Sequence, residues 1–318
     1  MSKLSLSVEL EPPKGIHDIN AERTHTIENE IDAYLPYVEM VSITNRPVFG
    51  LSAITFGKQI FNYVYPKKKT RVCIHLTTRL SHYDLFRSVL DAQRIGLTDV
   101  MPILGDPRGP KDPSYFDDGF EIIGFTSYLK YGDTKYLSKR YQEMLQRGQL
   151  VEPIKNPTFS IGSVIDVNRY KLLPNKKEVD IREKQIRFAQ KKEEMGAEYL
   201  VSQGLYNPQD YFEFVDEAKL GIPIIAGILP ARVRLLDMFG MVIDPLDKQR
   251  LRAQFTSIEE REEGNKIAKR VYNELLDGGC NKFHIYSLGN SENFLSIVNG
   301  SSLEPVKLPE DQYSQIKE

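Results

Sequence analysis

The sequence predicts an α/β protein of the (β/α)8 TIM-barrel class. Eight short segments rich in apolar and β-branched residues recur along the chain of 318 residues, and amphipathic segments with helical spacing separate them. Several of the short segments, such as 72–76 (VCIHL) and 222–228 (IPIIAGI), are apolar at almost every position. This pattern is typical of strands in a parallel sheet that is covered on both faces. Eight strand–helix alternations in a chain of this length indicate a barrel.

A doubly wound open sheet is the competing architecture, and it should carry a glycine-rich turn after its first strand. Here the first strand runs into 11–15 (EPPKG), and neither G-x-G-x-x-G nor G-x-x-x-x-G-K-[ST] occurs in the sequence. The barrel is therefore the favoured architecture. We expect a single barrel domain over residues 1–300 and a polar C-terminal tail over 301–318.

The individual elements follow from hydrophobic periodicity, taken in chain order. The predicted strands span residues 4–10, 38–44, 71–76, 99–104, 158–164, 199–203, 223–227 and 282–288. The predicted helices span residues 20–34, 52–62, 80–95, 134–147, 180–195, 208–219, 232–240 and 256–277. Residues 107–119 are rich in Pro, Gly and Asp and follow the fourth strand. We expect them to form a long loop on the catalytic face of the barrel.

Composition and charge exclude several classes of function. The formal net charge of −2 argues against a general nucleic-acid binder. Neither a signal peptide within residues 1–14 nor an apolar run of about 20 residues is present, so we expect no membrane span and a cytoplasmic location. Cys73 and Cys280 are far apart and suit a reducing compartment. No metal site is expected, because the five histidines are scattered and neither H-E-x-x-H nor C-x-x-C occurs.

Reactive groups of a barrel lie at the carboxyl ends of its strands, which selects a small set of candidates. Glu9 is the most informative of them, because a carboxylate at an inward position of the first strand is costly unless it is paired or neutral. Burial would raise its pKa and suit a general acid, whereas a buried ion pair is the structural alternative. The candidate set is Glu9, Glu11, Thr44, Asn45, His75, Thr77, Thr78, Gly105, Asp106, Gln203, Tyr206, His284 and Tyr286.

Several of these candidates also have plain structural explanations. Asp106 lies between Gly105 and Pro107, where an aspartate commonly hydrogen-bonds its own backbone in a turn. His75 and His284 lie within apolar strands, where a histidine satisfied inside the core is the commoner case.

Six segments of the chain, in order, resemble the motifs of one known family. Residues 7–15 (SVELEPPKG) are similar to S-F-E-F-F-P-P, 75–79 (HLTTR) to H-L-T-C, 104–109 (LGDPRG) to R-G-D-P, 196–207 (GAEYLVSQGLYN) to G-A-x-x-x-x-T-Q-x-x-F-D, 221–230 (GIPIIAGILP) to I-x-P-G-I-L-P, and 284–292 (HIYSLGNSE) to H-F-Y-T-L-N-R-x-E. That family is the methylenetetrahydrofolate reductases, the barrel flavoenzymes of one-carbon and methionine metabolism. Each segment falls at a predicted strand end, so the resemblance and the predicted fold agree.

The resemblance implies an activity and a set of roles. The family reduces 5,10-methylenetetrahydrofolate to 5-methyltetrahydrofolate, usually by passing a hydride from NADH or NADPH through FAD. Glu9 would then be the general acid that opens the methylene bridge, and Asp106 would lie near both pterin and flavin. The remaining roles are FAD contacts for Thr44, His75 and Lys192, a pterin hydrogen bond for Gln203, and a substrate-facing position for Tyr206 and Tyr286. A homo-oligomer or a subunit of a larger complex is also implied.

The chain departs from the family at several positions, most of them expected flavin contacts. The departures are Leu104, the segment 161–170 (IGSVIDVNRY), Gln185, Phe188, Leu236 and Asn290. Hydride transfer with FAD and hydride transfer without it therefore both remain open. A tetrahydrofolate-dependent methyltransferase or one-carbon binding protein on the same barrel is the alternative, and a non-catalytic barrel is the third hypothesis.

Overall fold

The strands close into one barrel. The computed structural model describes residues 4–10, 21–44, 53–105, 115–252 and 257–300. Its strands are β1 (Ser5–Leu10), β2 (Met40–Ile43), β3 (Arg71–Thr77), β4 (Asp99–Ile103), β5 (Ser160–Ile165), β6 (Tyr170–Leu172), β7 (Glu178–Asp180), β8 (Tyr199–Leu205), β9 (Ile224–Ile228) and β10 (Lys282–Ile285). Eight of them are parallel and close in the order β1-β10-β9-β8-β5-β4-β3-β2, while β6 and β7 form a separate antiparallel hairpin. The predicted (β/α)8 barrel and its eight strands are confirmed.

Helices lie between the barrel strands. They are α1 (Ala21–Tyr34), α2 (Ala53–Lys67), α3 (His82–Ile95), α4 (Gly119–Tyr131), α5 (Lys139–Gln146), α6 (Arg182–Glu194), α7 (Pro208–Ala218), α8 (Val233–Phe239), α9 (Pro245–Arg252), α10 (Ser257–Asp277) and α11 (Ser291–Val298). The sequence did not predict α4, α9, α11 or the hairpin. The helix predicted over 134–147 is wrong in its first part, where a single 3₁₀ turn (Thr134–Tyr136) precedes α5.

The helix α4 escaped prediction because it is buried on nearly all sides. Residues 121–129 are all buried, so the apolar positions show no helical period. Asp118 caps its first turn by accepting from the backbone N–H groups of Phe120 and Glu121 at 2.8 Å. Gly124 allows close packing, since a Cβ there would lie 2.2 Å from the carbonyl oxygen of Tyr136.

Strand alternation divides the core into two parts. In β1, Leu6, Val8 and Leu10 pack into the large cluster shared with the surrounding helices. The intervening residues of the strands face the barrel interior, where a second cluster fills the lower layers. Its buried members are Met40, Cys73, Met101, Tyr199 and Val201.

The two ends of the barrel differ in chemistry. Arg71 and Asp99 are the first residues of β3 and β4, and the Arg71 Nε donates to the Asp99 Oδ2 at 3.0 Å. This ion pair closes the amino-terminal end, where barrels hold stabilising groups. At the opposite end, the hairpin lies beside α8, and the backbone N–H of Leu172 donates to the carbonyl of Gly240 at 2.8 Å. The hairpin therefore covers one side of the carboxyl-terminal mouth.

Candidate functional site

The carboxyl ends of β1, β5, β8 and β10 bring the polar side chains of a candidate site together. Glu9 is the last inward position of β1, because Val8 and Leu10 on either side of it face the helices. Tyr286 follows β10 and donates its hydroxyl to the carbonyl of Ser202 on β8 at 2.9 Å. Burial is the main cause that raises the pKa of Tyr286, and the charges of Glu9 and Asp166 raise it further. The phenol of Tyr286 therefore lies within electrostatic reach of two carboxylates.

Two buried histidines, one on β3 and one on β10, hydrogen-bond to serines of the neighbouring strands. The Nε2 of His75 is 2.8 Å from the Ser42 hydroxyl, and the Nδ1 of His284 is 2.8 Å from the Ser7 hydroxyl. Burial lowers the pKa of His75 to about 4, and burial together with the neighbouring His75 lowers the pKa of His284 to about 3. Both rings are therefore neutral at physiological pH.

Thr44 directly follows β2, and its hydroxyl and backbone N–H are both hydrogen-bonded within the protein. Its hydroxyl donates to the carbonyl of Leu10 at 3.5 Å, and its backbone N–H donates to the same oxygen at 3.2 Å. Thr44 thus ties the last described residue of β1 to β2.

A cavity of about 200 Å³ opens between the barrel mouth, the hairpin, α6 and α8. Lys192 of α6 lines it and donates its ammonium group to the carbonyl of Val164. Burial lowers the pKa of Lys192 to about 8. Gln203, at an inward position of β8, lines the same cavity. The structure thus brings Lys192 and Gln203 together at one cavity.

Asp166 is a site residue that the sequence analysis missed. It lies just beyond β5, is 7% exposed and lines the cavity. Its Oδ1 accepts from the backbone N–H and the side-chain amide of Asn168 at 3.1 and 2.9 Å, and its Oδ2 lies 2.5 Å from the ammonium of Lys171. The rule that selected Glu9 and Gln203, a polar residue at a strand's carboxyl end, would also have selected Asp166.

Tyr206 does not line this cavity. It packs in an apolar cluster beneath α8 and α9 with Leu229 and Leu236, and its hydroxyl is buried without a hydrogen-bond partner in the described part of the chain. Burial raises its pKa. Asp106 and Glu11, the other predicted carboxylates, lie outside the described residues.

Most positions that depart from the family motifs have structural roles here. Leu104 is 57% exposed, and Leu236 is buried with Tyr206. Phe188 packs edge to face on Phe120 with ring centroids 5.3 Å apart. Asn290 caps α11 by accepting from the backbone N–H of Glu292 at 2.8 Å. Gln185 differs from these, because its side chain lines the cavity.

Residues 4–10, 21–44, 53–105, 115–252 and 257–300 contain no group of three or more His, Cys, Asp or Glu side chains arranged to hold a metal ion. In the same ranges, no helix combines the length and the apolar character that a bilayer crossing needs.

The fold and the site together define a class of protein: a (β/α)8 barrel with its polar constellation at the carboxyl ends of the strands, where barrel enzymes hold their active sites. A family model described as methylenetetrahydrofolate reductase matches residues 1–302. The chain belongs to the methylenetetrahydrofolate reductase family.

Two individual proteins are similar to the chain. It is 22% identical over 307 residues to methylenetetrahydrofolate reductase 1 of Schizosaccharomyces pombe, in an alignment that covers 90% of this chain and 44% of that protein. The chain thus spans less than half the length of this relative. An uncharacterized protein from Clostridium thermocellum that binds two copies of 5-methyl-5,6,7,8-tetrahydrofolic acid has a similar structure, with a TM-score of 0.56, 14% identity and 93% of each chain covered. That likeness shows the shared fold.

Proposed function

We propose that this chain is an oxidoreductase that reduces 5,10-methylenetetrahydrofolate to 5-methyltetrahydrofolate with a hydride from NADH or NADPH. Family membership supports the reaction class. The methyltetrahydrofolate bound to the Clostridium thermocellum protein, whose fold is shared, supports a tetrahydropterin as the ligand. The proposed setting is the cytoplasmic one-carbon and methionine metabolism, with the chain acting as a homo-oligomer or within a larger complex.

The placement of Glu9 is the observation that carries the proposal. Opening the methylene bridge of the substrate requires a proton on the departing nitrogen, and Glu9 would donate it as a general acid. Its inward position at the carboxyl end of β1, within electrostatic reach of the buried phenol of Tyr286, supports this role.

The other roles follow the family's pattern. Gln203 would hydrogen-bond the pterin, and Tyr286, whose hydroxyl is held by Ser202, would present its ring to the substrate. Tyr206 would support this face from below, since it packs under α8. Asp106 keeps the role that the resemblance implies, near both pterin and flavin.

Some of the expected FAD contacts are available to a ligand among the described residues, and others are not. Lys192 and Gln185 of α6 face the cavity and would hold the cofactor there. The Nε2 of the buried His75 is bound to Ser42 and the hydroxyl of Thr44 donates to Leu10, so each of these polar groups is already engaged within the protein. A bound FAD would supply the redox-active ring between nicotinamide and folate. The proton on the substrate nitrogen would still come from Glu9.

The internal engagement of His75 and Thr44 favours a second candidate, a tetrahydrofolate-dependent methyltransferase or one-carbon binding protein without flavin. Such a protein would keep the pterin contacts of Gln203 and would need no redox group. It differs from the reductase in one measurable respect, because it would not oxidise a nicotinamide.

The deciding experiment begins with the absorbance spectrum of the purified protein, before and after it is incubated with FAD and freed of excess cofactor. Oxidation of NADH and of NADPH is then followed under anaerobic conditions with and without methylenetetrahydrofolate. Folate-dependent oxidation with a retained flavin spectrum supports the FAD-linked reductase. Folate-dependent oxidation by a colourless protein supports direct hydride transfer. Tetrahydrofolate binding without any nicotinamide oxidation contradicts the reductase and supports the second candidate.

A further inference from the structure

One extra residue in β8 interrupts its pairing with β9. Val201 of β8 pairs with Ile225 of β9 in regular parallel register. The next pair along the ladder, Gly204 with Gly227, comes three residues later on β8 but only two residues later on β9. Residues 202–203 therefore lie opposite a single residue of β9, which is the arrangement of a β-bulge. Bulges are common beside functional sites, where they redirect side chains and backbone groups.

The two faces of β8 exchange places at the bulge. Leu200 and Leu205 both pack into the large cluster shared with the helices, although they lie an odd number of positions apart. Side chains at such a separation point to opposite faces of a regular strand, so one residue must have been inserted between them. Val201 is the last residue of β8 in the interior cluster. The bulge thus lies where the apolar interior of the barrel gives way to the mouth.

The hydroxyl of Ser202 bridges the bulge. It accepts a hydrogen bond from the backbone N–H of Gly227 at 2.7 Å and donates one to the carbonyl of Gln203 at 2.9 Å. The side chain of Ser202 is fully buried, so water cannot readily replace these contacts. One hydroxyl therefore fixes backbone groups on two strands, and its removal would be costly at a position without solvent.

The backbone of the same bulge anchors Tyr286. The carbonyl of Ser202 accepts the hydroxyl of Tyr286 at 2.9 Å. Gly227 provides the space for this contact, because a Cβ there would lie 2.2 Å from the Ser202 oxygen and 3.0 Å from Cε2 of the Tyr286 ring. The phenol is thus held at its oxygen by β8, while its ring lies next to the backbone of β9.

We propose that Ser202 is a positioning residue, which fixes Gln203 and Tyr286 together for a tetrahydropterin. This inference rests on the proposed function, because that function makes Gln203 the pterin contact and Tyr286 the substrate-facing ring. Ser202 is fully buried and does not line the cavity, so it acts through these two neighbours and not by touching a ligand. The proposed proton donor, Glu9, lies on β1 and does not depend on the bulge. Loss of the Ser202 hydroxyl should therefore weaken ligand binding more than it slows the bound substrate.

The test compares variants of the full chain whose folding is first checked by urea denaturation. Ser202→Ala removes the hydroxyl, and Ser202→Thr keeps it. Ser163→Ala is the matched control, because Ser163 is a buried serine of the adjacent strand β5 whose hydroxyl donates to the Pro102 carbonyl at 3.5 Å. Tyr286→Phe removes the anchoring bond from its other end and keeps the ring. Calorimetric titration with tetrahydrofolate under anaerobic conditions gives Kd, and steady-state assays with methylenetetrahydrofolate give KM and kcat.

Ser202→Ala should raise both Kd and KM by about tenfold and lower kcat by less than about threefold. Ser202→Thr should restore binding, while Ser163→Ala should leave it unchanged. Tyr286→Phe should weaken binding too, and the double variant with Ser202→Ala should lose less than the product of the two single effects, because both act on one anchoring contact. This coupling and the rescue by threonine separate positioning from a general loss of stability.

Equal weakening by Ser202→Ala and Ser163→Ala would overturn the proposal, as would wild-type binding in Ser202→Ala or a Ser202→Thr variant that binds no better than Ser202→Ala. If Ser202→Ala does not fold, Tyr286→Phe decides, and a wild-type Kd in that variant overturns the proposal. A wild-type chain that binds tetrahydrofolate but oxidises no nicotinamide loses the reductase, and the titrations alone then test Ser202. A wild-type chain that binds no tetrahydrofolate overturns this inference directly.

Discussion

The hydroxyl of Ser287 donates a hydrogen bond to the carbonyl oxygen of Glu9 at 3.2 Å. This bond joins the end of β1 to the loop after β10, next to Tyr286. Ser287 is held in turn by Asn293, whose side-chain amide donates to the Ser287 carbonyl at 2.9 Å. The Oδ1 of Asn293 accepts from Arg232 at 3.3 Å and from Asn265 at 3.1 Å. The backbone of the proposed acid is thus anchored through α11 to α10 and to Arg232, the residue that precedes α8.

Ser287→Ala should therefore disturb the position of Glu9 while leaving the fold intact. The lost hydrogen bond should lower stability by about 1 kcal/mol, within the usual range for one buried bond. Folate reduction should fall about tenfold in kcat, because small misplacements of a catalytic group are costly. Ser287→Thr, which keeps the hydroxyl, should restore the rate and the pH profile. An unchanged folate rate in Ser287→Ala would show that this bond does not position the acid.

Glu9→Gln tests the acid itself. The amide keeps the shape of the side chain and cannot donate the proton, so folate reduction should fall by about 10²-fold or more. Reduction of a bound flavin by the nicotinamide does not need this proton and should survive. Stopped-flow measurement of the two half-reactions separates the effects. Equal folate rates in wild type and Glu9→Gln would remove Glu9 from the mechanism.

The barrel strands could be predicted because each is short, strongly apolar and bounded by polar segments. The helix α4 could not, since burial on all sides erased its period, and the hairpin strands β6 and β7 are only three residues long. Hydrophobic periodicity shows which face of an element packs against the core. It therefore gives no signal for an element that is buried on every face or on almost no face.

The strand-end rule selected Glu9, Gln203, Tyr286 and Tyr206 as candidates, but it could not predict that Tyr206 packs away from the cavity. Tyr206 directly follows β8, where the rule expects a site residue. Its ring packs instead beneath α8 and α9, a contact between segments that are distant in sequence. The cavity also depends on such contacts, since the hairpin and α8 close it from outside the barrel. Sequence position therefore identified candidate side chains, and tertiary packing decided which of them share one cavity.

Lys192→Met should stabilise the protein while it weakens ligand binding. Burial lowers the pKa of Lys192 to about 8, so at pH 7.5 the fold holds a poorly solvated ammonium ion. Removing it should raise the free energy of unfolding by on the order of 1 kcal/mol. This gain is smaller than the full relief of burial, because the variant also loses the hydrogen bond to the Val164 carbonyl. Lys191→Met, at an exposed neighbour on the same helix, is the control and should change stability by less than about 0.5 kcal/mol.

The stability gain of Lys192→Met should also depend on pH. Between about pH 8 and pH 10.5 the unfolded wild-type lysine binds a proton that the folded one has lost, so wild-type stability rises with pH in this window. The advantage of the variant should therefore shrink between pH 7.5 and 9.5 in urea denaturation. A constant difference across that range would show that Lys192 is well solvated in the folded protein.

The buried histidines predict a loss of stability in mild acid. The pKa of His75 is about 4 and that of His284 about 3 in the folded protein, against about 6.5 for an exposed histidine. Below pH 6.5 the unfolded state binds protons that the folded state cannot, so stability falls as the pH drops from 6.5 toward 4. Each ring should account for a loss of about 2 kcal/mol between pH 7 and pH 5. Because carboxylates also titrate in this range, the measurement compares slopes between variants.

His75→Gln lowers absolute stability through packing, yet it should flatten the dependence of the unfolding free energy on pH between 7 and 5. His82→Gln, at a partly exposed ring on α3, is the control and should flatten this dependence much less. Equal slopes in wild type and His75→Gln would mean that His75 takes up its proton without leaving the barrel interior.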